Sequence, residues 1–299
     1  MANIILTGGN QGIGYFMAEK FLQNGDCVAV LDLENDNLRE LKKEYSGRLL
    51  DCICDMRDAG GVVETVNRIA ASFQTIDIAI HNACRCTFDS MADTADEVYQ
   101  EVFDVNYFGA LRLSRAVLPH MRAQHCGRVV FTSSGVGVMG FANISPYASS
   151  KGAVEALAKC LSLEYEKEGI TFHILHPPLT RTKSSAPFPF PAEYKADPKT
   201  VGYGLAENIN GKGFVICHSF LQKVQTELCY LFSLRMGRFM SGKMAALSGG
   251  RQYLKYIIVT SECSTSEIFN NQGGPNVRYQ YYRRRRRQSE KYFAGHPQK

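Results

Sequence analysis

The opening of the chain constrains its fold more than any other stretch. Asn3-Ile4-Ile5-Leu6 is a mostly apolar run, Thr7-Gly8-Gly9-Asn10-Gln11-Gly12-Ile13-Gly14 follows, and Tyr15, Ala18, Phe21 and Leu22 continue at helical spacing. That order reads as strand, glycine turn, helix. Glycines let the backbone approach a pyrophosphate, and the helix N-terminus presents free N–H groups and the positive end of its dipole to it. A second apolar run, Cys27 to Leu31, ends at Asp32, eighteen residues past Gly14. A carboxylate there accepts hydrogen bonds from the adenosine ribose hydroxyls and repels a 2′-phosphate, so the expected cofactor is NAD rather than NADP. The plain alternative for Asp32 is an ordinary strand-end carboxylate.

Apolar strand-like runs at 3–6, 27–31, 49–54, 76–80, 128–132, 170–175 and 213–217 alternate with amphipathic stretches. Alternation of this kind predicts an α/β fold, a doubly wound parallel sheet of Rossmann type. With 299 residues, 45% of them apolar, the chain is long enough for one domain of that kind plus an extension. The expected division is a cofactor-binding catalytic domain at 1–217, with a substrate lid at about 183–210. An amphipathic helical extension at 218–261 and a basic, disordered tail at 262–299 complete it.

The chemistry is expected around Tyr147, which stands four residues before Lys151 and thirteen after Ser134. Residues i and i+4 of a helix share a face, so the ammonium would lie under the phenol. A free tyrosine has a pKa of about 10; a fixed cation favours the phenolate and brings proton exchange with an alcohol or ketone oxygen within reach. Taken alone, Tyr-x-x-x-Lys is also what a half-buried tyrosine beside a surface lysine looks like.

These motifs together resemble the short-chain dehydrogenase/reductase family over about residues 1 to 210. Thr7 to Gly14 matches its Thr-Gly-x-x-x-Gly-Ile-Gly, and Ser134, Tyr147 and Lys151 match its catalytic spacing. Its helix asparagine corresponds to Asn106, and its Asn-Asn-Ala-Gly stands here as His81-Asn82-Ala83-Cys84. Cys tolerates positive φ poorly where Gly accepts it, so the resemblance leaves the backbone after the fourth strand open. The resemblance implies Tyr147 as general acid/base and Lys151 as the group that lowers its pKa and holds the nicotinamide ribose. Ser134 would polarise the substrate oxygen, and Asn106 would hold a water linking Lys151 to solvent. Ser133 is the rival of Ser134; adjacent strand residues face opposite sides, and the spacing selects Ser134. The resemblance also implies cofactor contacts at Gly8, Asn10, Gln11, Gly12, Ile13, Gly14, Asp32, Asp55, Met56, Asn82, Tyr147, Lys151, Pro177, Thr180 and Thr182.

The segment after the sixth strand, His176-Pro177-Pro178-Leu179-Thr180-Arg181-Thr182, carries Pro-Pro where the family usually has Pro-Gly. That version resembles the ketosphinganine reductase branch, which normally prefers NADP, and Asp32 opposes simple transfer of its activity. Ala186-Pro187-Phe188-Pro189-Phe190-Pro191 reads as a stiff apolar lid, with Asp197 as N-cap and Pro198 at the first position of the next helix. An aromatic and proline-rich lid suits an apolar alcohol or ketone better than a sugar. Two alternatives stay open: a ketosphinganine-reductase-like lipid enzyme at a membrane surface, and a non-catalytic NAD-binding sensor.

Charge is informative once divided. Residues 262–299 hold eight Lys/Arg, five of them as Arg283 to Arg287, against three acids. This accounts for the whole net charge of +5, so the body is neutral and carries no nucleic-acid footprint. The arginine run could address a nucleus, an RNA or an anionic membrane, or be merely solvated. From Leu221 to Met244 apolar residues recur every three or four positions, with Lys223, Arg235, Arg238 and Lys243 against Glu227 alone. Such a helix packs on the core, packs on a second subunit or lies in a membrane interface. A homo-oligomer is expected. Met1-Ala2-Asn3 leads straight into the first strand, leaving no room for a signal peptide, and the ten cysteines lack metal spacing. A cytoplasmic protein without a metal, in peripheral contact with a membrane at most, is the expectation.

Overall fold

A computed structural model describes residues 1–186, 188 and 190–247. The expectations for the 262–299 tail, for residues 248–261 and for Pro187 and Pro189 lie outside the described residues.

Seven strands form one sheet: β1 (Asn3–Thr7), β2 (Cys27–Asp32), β3 (Leu49–Ile53), β4 (Ile78–His81), β5 (Gly127–Thr132), β6 (Ile170–Leu175) and β7 (Val215–Ile216). Their order is β3-β2-β1-β4-β5-β6-β7, and every neighbouring pair is parallel. Both faces of the sheet are covered. Ile5 packs in one apolar cluster with residues of α3 (Ala59–Phe73), α5 (Gly109–Gln124) and α7 (Ser145–Tyr165), while its neighbours Ile4 and Leu6 pack in another with α1 (Gly12–Gln23), α2 (Arg39–Glu44) and α8 (Pro198–Glu207). Burial on both faces is why the strands read as unbroken apolar runs rather than as alternation.

The sheet places a crevice where it is wanted. From β1 the chain turns to β2 on one side, and β4 lies on the other, so the carboxyl ends of β1 and β4 part at the switch point of the winding. Helix α8 begins as expected, with the Asp197 carboxylate accepting from Thr200 N at 3.0 Å and Pro198 next in line. Between α4 (Asp96–Phe103) and α5 the helix widens into a single π-turn, Asp104–Phe108, which carries the buried Asn106.

The expected single helix over 221–244 is corrected to two. Helix α9 (Phe220–Leu231) ends at Phe232, whose φ of −128° leaves the helical region, and α10 (Ser233–Leu247) starts again. The break lets α10 turn back onto α6 (Gly135–Met139): a Cβ on Gly237 would stand 2.5 Å from the Gly140 carbonyl oxygen. The helices do pack on the body, α10 by Met236, Met240 and Met244 of the predicted row, α9 by a different face. Gln222, Thr226 and Cys229 are buried, and Leu221, Val224 and Leu228 face out.

Candidate active site

At the switch point lies a cavity of about 530 Å³. Gly8, Gln11, Gly12 and Ile13 line it from the glycine turn, Asp32, Asp55 and Met56 from the ends of β2 and β3, and Asn82 from the end of β4. Pro177, Thr180 and Thr182 line it from the loop after β6. The turn has the build that a dinucleotide requires. Gly8 and Gly12 have φ of +66° and +61°, and a Cβ on Gly12 would come within 3.1 Å of the Thr182 methyl. The N-cap residue Gln11 makes no side-chain cap bond, which leaves the first N–H groups of α1 to a ligand. Residues and cofactor therefore fit.

Asn10 and Gly14 stand behind this wall. Asn10 bonds through its amide to Asp36 and to Asn37 N, while Gly14 lies so close to Gly8 that a Cβ would meet its carbonyl oxygen at 2.1 Å. The Asp32 carboxylate accepts from Asn10 N and from Leu33 N, each at 2.8 Å, so it supports the turn as well as facing the cavity. Asp55 is held by Arg57 in an exposed pair, and Asn82 bonds the Gly8 carbonyl at 2.9 Å.

Ser134, Tyr147 and Lys151 converge on the other half of the cavity. The Ser134 hydroxyl bonds to the Tyr147 phenol, while Ser133 turns the opposite way to the Glu155 carboxylate at 2.7 Å. Lys151 is fully buried, lies 5.5 Å from the Tyr147 ring centre and donates to the Thr132 carbonyl at 2.6 Å. Burial, then Cys84 and Cys86, push the phenol well above its ordinary pKa, with the Ser134 bond opposing, while burial pulls the Lys151 ammonium down. Both shifts favour the neutral form of the group concerned. Asn106 lies behind the wall too. Its amide is shared between both backbone groups of Arg85 and the Ser150 hydroxyl.

The departures from the expected motif are accommodated. Cys84 does not take positive φ. His81 is buried and bridges Thr7 Oγ1 and the Val105 carbonyl, each at 3.1 Å. A carbonyl only accepts, so Nε2 carries the proton, Thr7 donates to Nδ1, and the Thr7 oxygen in turn accepts from Asn82 N and Ala83 N. Burial, reinforced by the Lys151 charge, lowers the His81 pKa to about 3.

Against known families, residues 2–189 match the short chain dehydrogenase model. The chain belongs to the short-chain dehydrogenase family. A fatty acyl-CoA reductase of Acinetobacter baylyi is 31% identical over 189 residues, 61% of this chain and 64% of that protein, so under two thirds of the relative's length is spanned. A 3-ketodihydrosphingosine reductase of Bos taurus is 28% identical over 62% of this chain and 58% of its own. Among solved structures, a short-chain dehydrogenase from Streptomyces avermitilis superposes with a TM-score of 0.69 over 82% of this chain and 98% of its own, at 24% identity.

Beyond the residues expected from this family, the structure shows a buried carboxylate that sequence reasoning missed. Glu155 lies one helical turn past Lys151 and accepts from Ser133, from His176 Nε2 at 2.9 Å and from the Tyr230 hydroxyl at 2.7 Å. Burial opposes its ionisation, yet His176, then Ser133 and Tyr230, outweigh it and hold the carboxyl below the usual carboxylate range. One side chain thereby ties the catalytic helix α7, the ends of β5 and β6, and α9. The signal was a glutamate on the apolar face of a helix, which needs partners when buried. Tyr230→Phe removes one donor to a charged acceptor and is expected to cost about 1.5 to 3 kcal/mol. A thermal unfolding midpoint equal to that of the parent would show that this bond adds nothing.

Proposed function

We propose that the chain is an NAD-dependent oxidoreductase that interconverts an alcohol and a ketone on an apolar substrate. The observation that carries this reading is the Ser134–Tyr147 hydrogen bond facing a cavity to which Val136, Met139, Phe141, Phe188, Met236 and Met240 give an apolar stretch of wall, with Gln222 and Thr226 from α9 as its polar part. Bound NAD would give or take the hydride. Asp32, Asp55 and Met56 would hold the adenosine end, the glycine turn with Thr180 and Thr182 the diphosphate, and Lys151 and Pro177 the nicotinamide riboside. The chain's own part is the proton. In the reducing direction the protonated phenol of Tyr147 donates to the ketone oxygen while Ser134 stabilises the charge developing there. In the oxidising direction the phenol must ionise, which the positive charge of an oxidised nicotinamide ring favours. Loss of NADH absorbance on adding long-chain or polycyclic ketones tests the reading, and silence across such a panel with both NADH and NADPH would refute it.

A ketosphinganine-reductase-like lipid enzyme at a membrane is the second reading, supported by the Bos taurus relative and by the apolar outer face of α9. Cofactor choice bears on it. Because Asp32 also receives the Asn10 N–H, Asp32→Asn is a cleaner test than truncation: an acceptor remains while the charge goes. Losing charged hydrogen bonds to the ribose and the repulsion of a 2′-phosphate should raise the NADP-to-NAD preference by about tenfold or more. A parent that already prefers NADPH in kcat/KM would overturn the assignment of Asp32.

A further inference from the structure

The first of the two C-terminal helices, α9, has its polarity reversed for a protein facing water. Inward it presents Gln222, Thr226 and Cys229, which are buried and line the cavity, while α10 turns Met236, Met240 and Met244 inward. Outward the two helices present Phe220 at 81% exposure, Leu221 at 77%, Leu231 at 72%, Leu234 at 70% and Phe239 at 54%. A soluble monomer seldom leaves so many large apolar side chains uncovered on one element pair. Lys223, Arg235, Arg238 and Lys243 are exposed among them, and Glu227 is the one acid between 220 and 247.

We propose that α9 and α10 dock on the surface of an anionic lipid bilayer, with the exposed leucines and phenylalanines in the headgroup–acyl boundary and the basic residues on the lipid phosphates. Charge decides between the occupants this face could have. A second copy in a two-fold contact would bring the same four basic residues against each other with two glutamates between them. The chain's own remainder fits no better: residues 248–261 carry Arg251 and Lys255 without an acid, and 262–299 carry the whole net positive charge. Anionic lipid alone offers both an apolar layer and the opposite sign, the combination that an interfacial basic helix requires. No helix among the described residues is long and apolar enough to cross a membrane, so the contact is one of lying on the surface. The docking stands on the surface pattern alone. Joined to the function proposed above, it gives one wall of the substrate cavity a lipid-facing back, so that an apolar ketone could pass from bilayer to cavity without crossing water.

The test is cosedimentation of the full chain with vesicles of phosphatidylcholine, with and without phosphatidylserine, at low and high salt. The parent should pellet with the phosphatidylserine vesicles at low salt and lose much of that binding at high salt. Leu221→Glu/Leu231→Glu/Leu234→Glu should weaken binding by tenfold or more with an unchanged unfolding midpoint. Should that variant fail to fold, Lys223→Gln/Arg235→Gln/Arg238→Gln/Lys243→Gln replaces exposed residues only, and each charge removed should cost roughly fivefold on anionic vesicles. Replacing Arg283 to Arg287 by Gln separates the tail and should leave part of the binding. Three results would overturn the proposal: no pelleting of the parent at low salt, loss of all binding with the tail arginines alone, or a parent dimer that the leucine variant converts to monomer without change in vesicle binding.

Discussion

Tyr147→Phe should lower turnover by roughly 10²- to 10⁴-fold while leaving NADH affinity within about twofold of the parent. The substitution removes one oxygen from a buried site in which the phenol bonds Ser134, and it leaves the ring against which Lys151 lies. What is lost is the proton that must reach the substrate oxygen as hydride reaches its carbon. Ser134 cannot replace it, since a serine hydroxyl that gives up its proton has no base beside it to restore it once Tyr147 is gone. Stopped-flow measurement of a single turnover separates the chemical step from product release. Retention of half the parent rate constant in that step would remove Tyr147 from the proposed mechanism.

Acid should loosen the fold before ordinary carboxylates protonate, and His81 is the cause. In the folded chain its pKa is lowered to about 3 by burial and by Lys151, against an ordinary value of 6.5. A histidine with a depressed folded pKa binds fewer protons folded than unfolded between those limits, so its contribution is complete above pH 6.5 and drains away as pH falls toward 3. From pH 7 to pH 5 that amounts to about 2 kcal/mol. Burial also lowers the pKa of His173 and of His218, and both act in the same window. Comparison with His81→Asn isolates the His81 share: the variant's unfolding free energy should change less between pH 7 and 5, whatever its absolute stability at pH 7. Parallel pH curves for parent and variant would show that the imidazole is not the sensor. Glu155 acts lower down; its depressed pKa makes its contribution full above about 4.5 and lost below.

What could be read from the sequence was whatever is local and periodic. The apolar runs located all seven strands because both faces of a covered parallel sheet are dry, and the glycine turn was legible because close backbone approach leaves glycine as the residue that fits. Ser134, Tyr147 and Lys151 meet because their spacing is bridged by the short helix α6, a loop and one turn of α7. What escaped were decisions made across the fold. That Leu221 and Leu228 face out follows from α9 spending its polar side, Gln222 and Thr226, on the cavity, and no periodicity says which side of an amphipathic helix is inside. The break at Phe232 answers to the close seat of Gly237 on Gly140, which lie far apart in the chain. His81 looked like a departure from a motif, and only its two partners, Thr7 and Val105, show it filling the motif's place with a neutral ring.

The Glu155 hub limits how far this chain can be treated as a set of exchangeable parts. Its four members come from α7, the ends of β5 and β6, and α9; the first three belong to the sheet and the helix packed on it, while Tyr230 belongs to a helix that walls the cavity. A chimaera that takes the C-terminal helices from another relative to change substrate range would strand a buried carboxylate against whatever replaces Tyr230. The exchangeable unit is therefore the helix pair together with positions 155 and 176, and grafts cut at the sheet's last strand should fold poorly unless those two residues travel with them.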